Sequence, residues 1–423
     1  MMPHMKNLAA IWFGIPLWQR ILGALALGAL AGWLLGPAAA QLQWIGDLFI
    51  RMIRMLIVPL VFVTLVSGVA SMAAPAKLGS IGLRAMALYM ATTFVAILFG
   101  LAGALILQPG RGVTLDGGSS ADALAAPVPL GERLMGIVPE NVFAAFAAGD
   151  ILAIIFFGVL LGAGLLMAGE AGRPLTRLFA AGSEVMLKVT HIVMEVAPIG
   201  VFALVASVMG SEGVSAFVTV FALVLVIYLG GAAHMALVHG GMVRLFAGRS
   251  PLAFFAVARA PQLLAFSTSS SAATLPLTLS AAKEGLHIRP AVASSVIPLG
   301  ATINMDGTAL YVAAVAVFAA QIFGVPLGVG DYATIALTTV LVSIGTASVP
   351  SASLFLMAAV LDVIGITPEQ TALVIAFLLP FDRILDMWRT VINVTGDLAV
   401  ATSVAAMEGE LDEAPQSAEA PQV

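Results

Sequence analysis

Asp382, Asp386, Arg389, Asn393 and Asp397 recur at helical spacing in an otherwise apolar stretch that also holds Ile384, Leu385, Val391, Ile392 and Val394. At 100° per residue the five side chains fall within an arc of roughly 80° along about 22 Å of helix. Ionisable groups are expensive in hydrocarbon, and those found there usually line a substrate or ion path. Arg389 and Asp386 stand one turn apart and admit two readings. One is a helix salt bridge of little net worth. In the other, the guanidinium fork grips a carboxylate of a ligand while the aspartate takes a cationic group. That second combination suits an amino acid with an acidic side chain.

A second polar group interrupts an apolar run at Asn304-Met-Asp-Gly-Thr308. Glycine weakens the helix and frees backbone carbonyls, Asp306 supplies charge, and such oxygen ligands suit a hard monovalent cation at an unwound helix. The competing reading is a lone buried aspartate held by hydrogen bonds. Asp397 with Asn393 forms a similar cluster, where Gly396 again permits local unwinding. Tyr89, Thr92 and Thr93 put three hydroxyls on neighbouring positions of an early span, where backbone carbonyls would ordinarily satisfy them. The histidines His4, His191, His234, His239 and His287 show no metal-ligand spacing and read as packed or interfacial. Asn393-Val-Thr395 matches a glycosylation acceptor but lies in an apolar stretch. No Walker A sequence, zinc-protease motif or serine-nucleophile elbow is present, so ATP-driven transport by this chain alone is unsupported.

These residues need membrane helices to hold them. The chain has 423 residues, 61% hydrophobic and 10% charged, with mean hydropathy +1.07. Soluble domains carry about 25% charged residues, so this is a polytopic membrane protein. At about 20 apolar residues per span, there is room for roughly eight. The absence of cysteine removes disulfides and thiolate metal sites, and a net charge of −5 argues against nucleic-acid binding. Arg20, the apolar run Ile21 to Leu35 and Pro37-Ala-Ala-Ala could pose as a cleaved signal. A first membrane helix fits better, because the charged flank is long and further spans follow at once.

Candidate spans lie near 17–36, 48–72, 82–107, 142–168, 185–210 and 214–240, with 108–141 a polar insertion read as an exposed loop. After residue 250 the spans lengthen and are interrupted by Ser, Thr, Gly and Pro, at 252–283, 290–320, 332–363 and 369–404. The interruptions form two matched pairs. Ser269-Ser-Ser-Ala-Ala-Thr-Leu-Pro276 precedes the Asp306 segment, and Gly345-Thr-Ala-Ser-Val-Pro-Ser-Ala-Ser353 precedes the charged helix. Small residues alone could be packing positions. Two matched broken segments, each followed by a polar helix, point instead to a transport site at an inverted repeat. Lys6, Arg20, Lys77, Arg84, Arg173, Arg177, Lys188, Arg244, Arg249 and Arg259 fall on alternate connections, which puts both termini in the cytoplasm.

On these residues the chain resembles the dicarboxylate/amino acid:cation symporters, the glutamate-transporter family. The likeness covers nearly the whole chain. It runs through Pro59-Leu-Val-Phe62, Tyr89-x-x-Thr-Thr93, Ala197-Pro-Ile-Gly-Val-Phe202, Pro298-Leu-Gly-Ala-Thr-Ile-Asn-Met-Asp-Gly-Thr308 and Asp386-Met-Trp-Arg-Thr-Val-Ile-Asn-Val-Thr-Gly-Asp397. The resemblance implies an all-α membrane protein of eight spanning helices plus two re-entrant hairpins, near 252–283 and 332–363. It also implies a homotrimer in which a substrate-carrying unit slides, elevator-fashion, past a fixed scaffold.

The implied division is scaffold helices at 1–80, a third helix of the transport unit at 81–107, and an extracellular loop at 108–141. Scaffold follows at 142–184, connecting helices at 185–250, the transport core at 251–404 and a disordered acidic cytoplasmic tail at 405–423. Substrate would be held by Ser271, Val349, Thr308, Asp386, Arg389, Thr390 and Asn393, with Asp386 facing the amino group and Arg389 the distal carboxylate. One sodium would be held by Gly300, Asn304, Asn393 and Asp397. A second would use carbonyls from Thr302, Ser343, Ile344 and Thr346, and a third Tyr89, Thr92, Thr93, Asn304 and Asp306.

The chain also departs from the family. Many prokaryotic relatives carry an arginine where Ser269 stands and animal members one where Met387 stands; Arg383 lies about one turn from Met387. Ser348, Ser351 and Ser353 occupy positions often held by glycine.

The expectation is a sodium-coupled symporter of L-aspartate or L-glutamate in the plasma membrane, not an enzyme and without an organic cofactor. The physical reason is charge compensation, because Asp306 and Asp397 cross lipid cheaply only with bound cations. The alternatives are a sodium- or proton-coupled C4-dicarboxylate symporter, a passive anion channel, and an intramembrane enzyme using Asp382 and Asp386. Asp386 argues against the first, since a substrate without an amine gives that carboxylate no cationic partner.

Overall fold

Residue Pro16 and then Gly36 (φ +55°) bracket the first helix, α1, Leu17–Leu35, and a short 3-10 turn leads into α2, Gln43–Ala70. The structure is a computed structural model that describes residues 14–70, 75–112, 135, 138–345 and 352–412. Most of the 108–141 insertion, Thr346 and Val349 lie outside these residues. Helix α3, Pro75–Leu107, bends at Gly79 (φ +51°). Next come α4, Val142–Ala148, and α5, Ile151–Ala168, capped by the Asn141 and Asp150 side chains. Helices α6, Arg173–Met194, and α7, Ala197–Glu212, follow. The sequence reads 142–168 and 185–210 as continuous runs; the chain breaks at Gly149–Asp150 and at Glu195–Val196. The second break is pinned, because Glu195 accepts from the buried Arg20 of α1 at 2.8 Å.

Helix α8, Val214–His234, passes through one π turn, Met235–His239, into α9, Gly240–Ala247. Two helix pairs then alternate with two long polar helices. The first pair is α10, Pro251–Thr268, and α11, Ser271–Ser280, joined at Ser269–Ser270, where Ser269 takes φ +52° and Ser270 caps α11 through Ala273 N. It leads to α12, Pro290–Ile303, and α13, Asp306–Phe323. The second pair is α14, Val329–Gly345, and α15, Ala352–Asp362, ahead of α16, Pro368–Glu408. A capping box of Thr367 and Gln370 starts α16 and Gly409 (φ +69°) ends it. Its 41 residues reach about 60 Å, twice the hydrocarbon thickness.

Among the described residues six stretches are long and apolar enough to cross a membrane, and the first, Leu17–Ala70, contains both α1 and α2. The described residues contain no strand beyond an isolated bridge between Ile288 and Leu411. Helices α1, α2, α5, α6 and α7 pack on one another, whereas α3, α9, α10, α12 and α13 pack on α16. The chain is an all-α membrane protein whose buried charged residues lie mainly on α16 and at the start of α13. Beyond α16, Glu410 and Asp412, grouped by the sequence with the acidic tail, are held by Arg289, and Asp412 O also accepts from Arg249.

Candidate functional site

The site forms where the chain unwinds. Asn304 (φ −85°, ψ 90°) and Met305 (φ −117°, ψ 50°) separate α12 from α13, and Asp306 opens the new helix. The first N–H groups of a helix lack internal partners, and here α16 supplies one. Gly307 N donates to Asn393 Oδ1 at 2.8 Å, while Asn393 Nδ2 reaches Met305 Sδ at 3.2 Å. Asn304 Nδ2 donates to Asn393 O at 3.1 Å and to Asp397 Oδ1 at 3.0 Å. Gly307 has to be glycine, because a Cβ there would meet the Arg389 backbone. The broken helix and the charged helix are thus locked together at one junction.

Arg389 is fully buried. Its Nη2 donates to Asp382 Oδ1 at 3.0 Å and to Asp386 Oδ1 at 2.8 Å, and its guanidinium carbon lies 4.0 Å from the Tyr311 ring centroid. Among the described residues, Nε and Nη1 have no hydrogen-bond partner. An unsatisfied buried donor costs about 1–3 kcal/mol, more when charged. These unpartnered donors therefore favour an added acceptor such as a carboxylate oxygen. Thr390 Oγ1 donates to Asp386 O at 2.9 Å, so its hydroxyl proton is in use. Thr308 and Ser271 are buried at the starts of α13 and α11, and α11 packs on α16. Ser269 Oγ and two nitrogens of the buried Arg383, Nε and Nη1, also lack partners.

The cation-ligand candidates divide. At the unwound segment, Asn304 Oδ1 is a buried acceptor without a partner. A Cβ at Gly300 would meet both Asp397 Oδ1 and the Tyr89 hydroxyl, so those three positions converge. Asp306 Oδ1 accepts from Thr93 at 2.8 Å and Thr92 at 3.3 Å, and Thr92 Oγ1 also lies 3.1 Å from Tyr89 O. Tyr89 itself donates to Val296 O at 3.0 Å. An oxygen set of carboxylate, amide, hydroxyls and carbonyl is what a hard cation takes. For the remaining group, Thr302 lies on α12 and Ser343 and Ile344 on α14, two helices that touch. The Thr302 hydroxyl is turned back to the Pro298 and Leu299 carbonyls and that of Ser343 to Val340 O.

Two residues escaped the sequence reading. His234 Nε2 and His239 Nε2 lie 3.2 Å and 3.0 Å from the second oxygen of Asp306, all three residues fully buried. The absence of metal-ligand spacing is thereby corrected for this pair, whose ligand atoms and that of Asp306 lie within 4.8 Å of one another. In an α-helix, positions five apart diverge by about 140°; the π turn removes that divergence.

Fold and site together define an integral membrane protein whose core carries a buried guanidinium with unpartnered donors near a cluster of buried carboxylate, amide and hydroxyl oxygens. Residues 17–407 match the model of the Sodium:dicarboxylate symporter family. The chain belongs to that family of transporters. It is 35% identical over 407 residues to the "Proton/sodium-glutamate symport protein" of Bacillus caldotenax, covering 94% of this chain and 95% of the relative. Identity is 36% over 414 residues to the "Proton/glutamate-aspartate symporter" of Escherichia coli (strain K12), covering 93% of each. It is 33% over 403 residues to the "C4-dicarboxylate transport protein" of Azorhizobium caulinodans, covering 94% and 89%.

Proposed function

We propose that the protein is a sodium-coupled symporter that carries L-aspartate or L-glutamate into the cell by an elevator motion. The observation that carries this reading is Arg389, buried, charged and with Nε and Nη1 unpartnered. A substrate carboxylate supplies an acceptor for this unpartnered donor set, and Asp382 and Asp386 anchor the guanidinium through Nη2. Asp386 then faces the substrate amine, with Ser271, Thr308, Val349, Thr390 and Asn393 around the ligand. Sodium compensates Asp397 and Asp306 through Gly300, Asn304 and Asn393 on one side and Tyr89, Thr92 and Thr93 on the other. A further ion is held by Thr302, Ser343, Ile344 and Thr346. The pairs α10–α11 and α14–α15 act as re-entrant hairpins, and the protein works as a homotrimer in the inner membrane with both termini inside.

A second reading, symport of C4-dicarboxylates, is favoured by one contact. Asp386 is already paired with Arg389 at 2.8 Å and so does not require a substrate amine. The relatives named for glutamate and for C4-dicarboxylates are similar in identity, which leaves the choice to experiment. The test is uptake of labelled aspartate, glutamate and succinate into proteoliposomes under sodium, proton and potassium gradients imposed one at a time. Aspartate accumulation that follows the sodium gradient supports the proposal. Equal uptake in choline and sodium at fixed pH removes it, and succinate uptake that aspartate fails to compete establishes the second reading.

A further inference from the structure

Asp306 is a buried carboxylate with four polar neighbours, divided two and two. Oδ1 faces the hydroxyls of Thr92 and Thr93 on α3, and Oδ2 faces the two imidazoles at the end of α8. The imidazoles meet at this oxygen only because residues Met235–His239 form a π turn, and π turns recur at functional positions. The rings stand edge to face, centroids 4.7 Å apart, with Phe99 against His234. Among the described residues neither Nδ1 has a hydrogen-bond partner, and the contact with Asp306 is the one hydrogen-bonding engagement of either ring. Helix α16 leaves room for this, since a Cβ at Gly396 would sit against His239 Nε2 and Asn304 Nδ2. Two polar rings are therefore buried in the membrane core, on a distorted helix, with no other hydrogen-bonding task.

Rotation about Cβ–Cγ lets an aspartate carboxylate turn either oxygen toward a ligand. Two N–H donors on Oδ2 remove that freedom. Oδ1 is then held on the side of Thr92, Thr93 and the Tyr89 carbonyl, and Asn304, two residues back on the unwound segment, carries a buried Oδ1 with no partner. We propose that His234 and His239 are positioning residues that clamp Asp306 Oδ2 and so preset Oδ1, the two threonine hydroxyls and Asn304 Oδ1 as an oxygen cradle for sodium. This rests on the sodium coupling proposed above and assigns residues that the coupling itself does not name. Outer partners of this kind typically change ion affinity by about 10–100-fold when removed.

The test uses purified full-length protein, with the sodium dependence of its melting temperature as a binding readout and labelled-aspartate uptake as a second. His239→Phe keeps the ring volume and loses the donor; His239→Gln returns an N–H near the reach of Nε2. The Phe variant should need about tenfold more sodium for half-maximal stabilisation. The Gln variant should fall within about twofold of wild type, and aspartate affinity at saturating sodium should hold in both. His234→Phe, which loses the longer contact, should show a smaller shift in the same direction. Sodium half-saturation unchanged in both Phe variants overturns the positioning role while leaving sodium coupling intact. Loss of the pH dependence of uptake in both Gln and Phe variants, with sodium half-saturation unchanged, also overturns it, because the rings would then serve a proton. A wild type with no sodium response overturns the coupling and this assignment with it.

Discussion

Asp306 and Arg389 are both fully buried charges on elements joined at one junction, and their surroundings are opposite. Each oxygen of Asp306 has two polar groups beside it, the hydroxyls of Thr92 and Thr93 on one side and the imidazoles of His234 and His239 on the other. Arg389 places two carboxylates on a single nitrogen and leaves two nitrogens bare. A saturated charge is fixed in place before any ligand arrives. An unsaturated one is a socket, since the missing partners cost free energy until a ligand brings them. The Arg389 end of the site therefore gains most from a ligand, while the Asp306 end is preorganised and gains most from geometry.

Removing the socket should give the largest effect. Arg389→Ala leaves Asp382 and Asp386 without their shared cation, and breaking such a buried pair costs about 3–5 kcal/mol. Aspartate titrated into purified protein at saturating sodium should show affinity lower by at least about a hundredfold. Arg389→Lys keeps the charge but not the fork, and should recover only part of that loss. Aspartate affinity unchanged in the alanine variant would place the substrate elsewhere and dissolve the contrast.

Asp397→Asn should come next. Asn304 Nδ2 donates to Asp397 Oδ1 at 3.0 Å, and the amide can still accept there. The geometry survives while one negative charge is lost. The sodium concentration for half-maximal uptake should rise about tenfold or more, a shift of about 1.4 kcal/mol, with aspartate affinity at saturating sodium much less affected. Asp386→Asn sharpens the opposite end. If the carboxylate reads a substrate amine, competition assays should show aspartate weakened by about tenfold and succinate not weakened, since charge-assisted bonds are worth about 1.5–3 kcal/mol. Equal weakening of both would mean that Asp386 serves only to hold Arg389.

How much of this the sequence carried depended on periodicity. The face of α16 was legible because Asp382 to Asp397 repeat at 3.6-residue spacing in an apolar run, and the structure folds all of them into one helix. The unwinding at Asn304 and Met305 was legible because Asp and Gly interrupt an apolar stretch. The turn at Ser269–Ser270 was similarly marked by a run of serines. His234 and His239 were hidden because a π turn has no composition signal, and five-residue spacing reads as opposite faces. The hold of Arg289 on Glu410 and Asp412 joins segments more than 120 residues apart, which no local pattern encodes. The peripheral helices illustrate the remaining limit. In Leu17–Ala70 and Ala153–Met194 only 33% of the most apolar window is buried, against 83% in Pro290–Phe323 and 89% in Phe381–Glu408. In lipid the most apolar helices can lie outermost, so hydropathy located the spans without ranking their depth.

The smallest effect belongs to a charge that is neither saturated in the core nor waiting for a ligand. Arg84 of α3 meets the end of α16, with Nε 3.2 Å from Glu408 Oε1 and Nη1 donating to Met407 O at 2.7 Å, and Ser80 Oγ donates to Glu408 Oε2 at 2.8 Å. The Arg84 side chain is 43% exposed, so water competes for the guanidinium and salt screens the pair. Exposed pairs contribute about 0.2–1 kcal/mol. Arg84→Gln should therefore leave aspartate and sodium affinities unchanged and lower stability by about 1 kcal/mol or less, with the difference shrinking as ionic strength rises. A loss of transport in this variant, or a destabilisation that salt does not reduce, would mean that the α3–α16 contact at this end is coupled to the site. The separation between buried and exposed charges on which the comparison rests would then have to be redrawn.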